Sequence, residues 1–135
     1  MLIKKVCLAI VLAGVSCGAL AEWSKVGEGD DAVVYINIEP VRISGGMPRI
    51  WSLMDLKTPE RLPGGMDYQS NRTLFELNCK EGLYRRLSID VFAGKMAKGA
   101  IILRSETPSG WSHVAPDSLV ESTFTFGCLF VPDPK

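Results

Sequence analysis

The chain has one histidine, His113, in 135 residues. A single imidazole excludes a paired-histidine metal motif and leaves a thiol nucleophile only one candidate base. Within "ETPSGWSHVAP" it reads as a loop histidine, with Trp111 beside it folded against the core. Gly-rich phosphate loops are missing too: "SGG" at 44–46 and "PGG" at 63–65 lack the lysine and the helix start that such a loop needs. No nucleophile-elbow pattern follows residue 21. "GEGDD" at 27–31 lacks the ligand spacing of a calcium loop and reads as a solvated acidic turn. No charge of one sign dominates, with 15 basic and 15 acidic side chains, so neither nucleic acid nor an acidic membrane surface is called for. No carboxylates stand out as a pair on an apolar face, and internal repeats are absent. No catalytic residue, metal or cofactor is expected.

What is present begins with "MLIKKVCLAIVLAGVSCGALAEW". Lys4 and Lys5 precede an apolar run over 6–15, about ten residues, too short to span a bilayer. "ALA" at 19–21 then offers small residues before a cut, so residues 1–21 read as a secretory signal peptide. "GVSC" up to Cys17 lacks the leucine of a bacterial lipobox. The expected mature chain, 22–135, forms one domain with 13 basic and 15 acidic side chains and no transmembrane segment. Two of the four cysteines, Cys79 and Cys128, remain, and export places them in an oxidising compartment. Two thiols there are most simply one disulfide.

The mature segment reads as β-rich. "AVVYINIEPVRI" at 32–43 is a strand, a kink at Pro40 and a short strand, and "SGG" is a turn. "MPRIWSLMDLK" is a further strand, and "TPERLPGGMDYQSN" at 58–71 reads as a long exposed loop. "RTLFELNCKEGLYRRLSIDVF" at 72–92 is a hairpin. With Lys80-Glu81-Gly82 as a three-residue loop, Cys79 faces Leu83, Glu76 meets Arg86 and Arg72 meets Asp90. That register sets Phe75, Leu77 and Cys79 on an apolar face and puts Arg85 among them, its stem on the core. "GKMAKG" at 94–99 is a turn-rich link, and 100–105 is another strand.

"PDSLVESTFTFGC" stays open between strand and helix. "STFTF" alternates, while Ser118 and Glu121 after Pro116 form a capping-box pattern. As a helix it would share one face among Leu119, Thr123 and Phe126, another between Val120 and Phe124, and bring Cys128 down on the sheet near Cys79.

Partner-binding candidates are Arg61, Met66 and Tyr68 in the 58–71 loop and Arg85 on the sheet. "YRR" at 84–86 with Lys80, Lys95 and Lys98 is a candidate basic patch.

The order "WSKVG" at 23–27, "VYIN" at 34–37, "RIWSLMD" at 49–55, "LNCKEGLYR" at 77–85, "SGWSHVAPDS" at 109–118 and the closing Cys128 resembles bacterial surface-adhesin protein E and its related domains. The resemblance implies an α+β fold: a curved six-stranded antiparallel sheet with a C-terminal helix at about 118–127 on its concave face, tied by a disulfide at Cys79 and Cys128. It also implies a non-catalytic binding module at the bacterial surface that binds host matrix or plasma proteins such as vitronectin and laminin and can dimerise. The alternative is a periplasmic structural or small-ligand-binding domain.

Overall fold

The computed structural model describes residues 23–129, the side chains of 38–42 excepted; the expected signal peptide and Cys17 lie outside these residues. The elements are β1 (Ser24–Glu28), β2 (Ala32–Ser44), β3 (Met47–Arg61), β4 (Asp67–Asn78), β5 (Leu83–Phe92), β6 (Ile101–Ser105), β7 (Ser112–His113) and α1 (Leu119–Cys128). Strands β1 to β6 pair antiparallel in chain order, and β7 pairs with β5, making seven strands among the described residues where the family resemblance implies six. The extra strand has a physical cause. The short β6 pairs only with Ile89–Phe92, leaving the start of β5 open. The returning chain satisfies it: Ser109 N–H donates to the Arg86 carbonyl (2.8 Å), Arg86 N–H donates to Ser109 Oγ (2.9 Å), and β7 continues the pairing.

Tight hairpins follow from the turn glycines. Gly45 and Gly46 take φ of 61° and 77° between Ser44 and Met47, the positive-φ pair that a two-residue hairpin requires. Strand β2 runs as one element, but its register against β3 shifts between Asn37 and Arg42, around Pro40. The predicted long loop at 58–71 is instead mostly paired. Glu60 and Arg61 sit opposite Tyr68 and Asp67, leaving a turn at 62–66 closed by Leu62 N–H to the Met66 carbonyl (2.8 Å). Pro59 falls inside the register shift between Asp55 and Glu60, where its missing N–H breaks no ladder bond.

The β4–β5 hairpin corrects the predicted register over half its length. Gly82, at φ 70°, donates its N–H to the Asn78 carbonyl (2.9 Å), and Asn78 Oδ1 accepts from Glu81 N–H (3.1 Å). The turn therefore takes four residues, Asn78 faces Leu83, and Glu76 faces Arg85 rather than Arg86. A bulge at Leu87 absorbs the offset, so Arg72 faces Asp90 as expected. Arg85 consequently leaves the apolar face, and Arg86 joins Phe75 on it.

Helix α1 is capped by Ser118, whose Oγ accepts from Glu121 N–H (3.3 Å), while Glu121 Oε2 accepts from Asp117 N–H (3.1 Å). It lies on the sheet face formed by Ile36, Ile50 and Leu77, against which Val26, Phe75, Tyr84, Phe124 and the Cys79–Cys128 disulfide also pack. The cysteine Cα atoms are 5.7 Å apart across 49 residues of chain. Thr123 faces the sheet as the predicted stripe has it, but Gly127 faces it too and Phe126 is 37% exposed. Small residues win there because the helix backbone sits close. A Cβ on Gly127 would fall 2.3 Å from Leu77 Cδ1, inside a fully buried side chain. Thr123 Oγ1 meets Ser52 Oγ at 3.2 Å, pairing the two buried hydroxyls. Gly127→Ala is expected to lower stability by about 1–3 kcal/mol by overpacking, outweighing the gain in helix propensity of about 1 kcal/mol. Urea unfolding tests this, and an unchanged midpoint would refute the close approach.

Candidate functional site

The face of the sheet opposite α1 carries the charge. Along β3 and β4, alternation sends Ile50, Ser52 and Leu77 to the helix and Arg49, Trp51, Leu53, Arg72 and Glu76 to the other side. Two rows of three charges cross this open face. In the first, Glu76 Oε2 accepts from Arg49 Nε (2.9 Å) and Oε1 from Arg85 Nε (2.8 Å). In the second, Asp90 Oδ2 accepts from Arg72 (2.6 Å) and Oδ1 from Arg104 Nε (2.9 Å). Both carboxylates are buried, and each oxygen has its own guanidinium. Burial pushes these carboxyls up, but the hydrogen bonds and charges of the flanking arginines outweigh it and hold both below the usual range.

Aromatic rings fix the arginines. Arg72 stacks between Trp51 and Phe92, 5.2 and 5.6 Å from their centroids. Arg85 stacks 4.7 Å from the centre of Trp111, which is 38% exposed. Trp111 thus covers a guanidinium on the open face and does not fold into the core as its sequence context suggests.

At one end of this face the 94–99 link is pinned by buried polar groups. Ser70 Oγ donates to the Gly94 carbonyl (2.6 Å) and accepts from Ala97 N–H (2.9 Å), while Asp55 accepts from Met96 N–H (2.8 Å) and pairs with Lys95 (3.2 Å). Met96 and Ala97 are held at φ 56° and 57°, a left-handed conformation costing about 1–2 kcal/mol per residue, which these bonds offset.

The predicted partner-binding residues divide. Arg61, Met66 and Tyr68 come together at the tip of the β3–β4 hairpin: Arg61 pairs with Asp67 (3.2 Å), Tyr68 donates to Glu60 (2.9 Å), and Met66 is 54% exposed. Arg85 is elsewhere, opposite Glu76, which lies eight residues beyond Tyr68 along β4, roughly 26 Å away. The candidate basic patch of 84–86 with Lys80, Lys95 and Lys98, for which a solvated surface is the preferred reading, does not assemble, because Lys80 precedes β5 and the two other lysines follow it. "GEGDD" is no bare acidic turn: Lys25, then Lys57, bonds Glu28 and pushes its carboxyl down to about 2. Sequence reading missed Arg49, Trp51, Arg72 and Arg104 as one group, and only the strand alternation of β3 and β4 pointed to it. Among the described residues no cluster of His, Cys, Asp or Glu could hold a metal ion, and no helix is long and apolar enough to cross a membrane.

A small antiparallel sheet clasped to one helix by a disulfide, with two arginine–carboxylate rows on its other face, defines an α+β sheet module. The chain belongs to the surface-adhesin protein E family, whose model matches residues 23–129. Its fold is shared with Haemophilus influenzae protein E, at 14% identity and TM-score 0.58, covering 82% of this chain and 86% of that one. A second crystal form gives 13% identity and TM-score 0.55 over 82% and 97% of the two chains. Protein E from non-typeable H. influenzae gives 13% and 0.57 over 84% and 79%. No curated protein matches the sequence.

Proposed function

We propose that this protein is an exported, non-catalytic binding module of the cell envelope that acts by contact with another protein. The observation that carries this is the family match across residues 23–129, nearly the whole expected mature chain. By that resemblance the ligands are host matrix or plasma proteins, with vitronectin and laminin the first to test. The β3–β4 hairpin tip, with Arg61, Met66 and Tyr68, is one contact surface, since Met66 offers an exposed apolar side chain beside polar groups. Protease treatment of intact cells is expected to cleave the domain from outside. Removing residues 60–67 is expected to leave the melting temperature nearly unchanged while weakening vitronectin or laminin binding, or self-association in sedimentation.

One observation favours a second reading, a periplasmic structural or small-ligand-binding domain: "GVSC" lacks the lipobox leucine that would mark a surface-anchored lipoprotein. Protection from protease until the outer membrane is opened would support that reading and refute surface display.

A further inference from the structure

We propose that the open face of the sheet binds an extended acidic peptide segment, its carboxylates four residues apart with an apolar side chain midway. The proposal deepens the binding-module reading and rests on it for the partner being a protein.

Each charged row contains one carboxylate and two arginines, so each carries a net charge of +1. The carboxylates are buried and use both oxygens inward. The arginines are not: their side chains are 41% (Arg49), 31% (Arg85), 36% (Arg72) and 56% (Arg104) exposed. A guanidinium has five donors and these ion pairs use only some of them, so the exposed guanidinium edges can present N–H groups to an anion; Arg72 Nε is buried and takes no part. Guanidiniums held by a carboxylate, two of them also by aromatic rings, lose little freedom on binding, which lowers the cost of recognition. Their forked geometry suits carboxylate oxygens.

Spacing selects the ligand. Glu76 and Arg72, one in each row, are four residues apart on β4, about 13 Å. On an extended chain, residues four apart lie on the same side at that same distance, with the residue between them also on that side. Between the rows lie Trp51, Leu74 and Ser88, opposite one another on β3, β4 and β5. An acidic, apolar, acidic alternation would therefore place its anions over the two arginine rows and its middle side chain near Trp51 and Leu74.

The probe is a capped seven-residue peptide alternating threonine with glutamate, valine and glutamate, titrated into the purified disulfide-bonded domain by calorimetry. Binding is expected at least tenfold tighter than for the glutamine counterpart, and tighter than for a peptide with its glutamates only two apart. It is also expected to weaken steeply with added salt. Arg49→Gln and Arg104→Gln each leave the buried carboxylate one arginine, and each is expected to lower affinity at least fivefold. The spacing and salt comparisons need only the unsubstituted protein, so they decide the matter even where a variant folds poorly.

Equal binding of the glutamate and glutamine peptides would overturn the proposal. So would binding of heparin to this face with no binding of the peptide. If peptide binding fails while vitronectin or laminin binding persists, the open face is not the contact and the adhesin reading stands. If the peptide binds but neither host protein does and intact cells resist protease, the face is a recognition site and the adhesin reading falls.

Discussion

Replacing Glu76 with Gln is expected to lower stability by about 3 kcal/mol, near the lower end for breaking a buried ion pair. The carboxylate is buried, and Arg49 and Arg85 both end on it. A glutamine can accept with one oxygen but brings an NH2 group toward the second guanidinium, turning an attraction into a repulsion of donors. The penalty stays at the lower end because both arginines are partly exposed and can be hydrated. Against a total of about 5–15 kcal/mol for a small domain, the loss should appear as a clear drop in the urea midpoint. A change under about 1 kcal/mol would refute a central structural role for this row.

The same site sets an acid limit. The folded state holds Glu76 and Asp90 below their ordinary values, so it keeps them ionised at a pH where the unfolded chain has begun to bind protons. Their contribution is complete above the unfolded values of about 4.3 and 3.9, and is lost as pH falls through the lower folded values. The melting temperature should therefore decline below about pH 4, and decline less steeply in Glu76→Gln, where one of the two groups no longer titrates.

The second large effect is expected at the disulfide. Replacing both Cys79 and Cys128 with alanine should lower stability by about 4 kcal/mol in the chain-entropy estimate for a loop of this size. The bridge ties the last residue of α1 to the β4–β5 turn. A ten-residue helix is marginal on its own and depends on being held against the sheet. Loss of helical circular dichroism at lower urea than in the oxidised protein would confirm this. Coincident unfolding of the oxidised and double-alanine proteins would show that packing at Gly127 and Thr123 suffices.

The strand pairing within 58–71 and the short β1 and β7 were not legible in the sequence, whereas β2, β3, the β4–β5 hairpin, β6, the capping pattern at Ser118 and the Cys79–Cys128 disulfide were. Each is written in local terms: alternation, turn glycines, a capping pattern, and two cysteines that survive leader removal. The Arg72–Asp90 pairing was legible too, but only because the bulge at Leu87 cancels the extra residue in the turn. The Arg85 partner was not. Whether the turn takes three residues or four depends on Gly82 closing onto Asn78, and a bulge at Leu87 then restores the pairing further on, so no local pattern reveals the slip. The helix shows its cap locally, but neither its existence over the alternating "STFTF" nor its rotation. Phe126 shares a helical face with Thr123 in the sequence pattern, yet the sheet approaches so closely that Gly127 and Thr123 sit against it instead. The sequence by itself determined the main strands, their order and the staple. Only the tertiary structure decided which arginines share a carboxylate, because Arg49, Glu76 and Arg85, like Arg72, Asp90 and Arg104, meet across three strands whose relative register depends on bulges and side-chain packing at a distance.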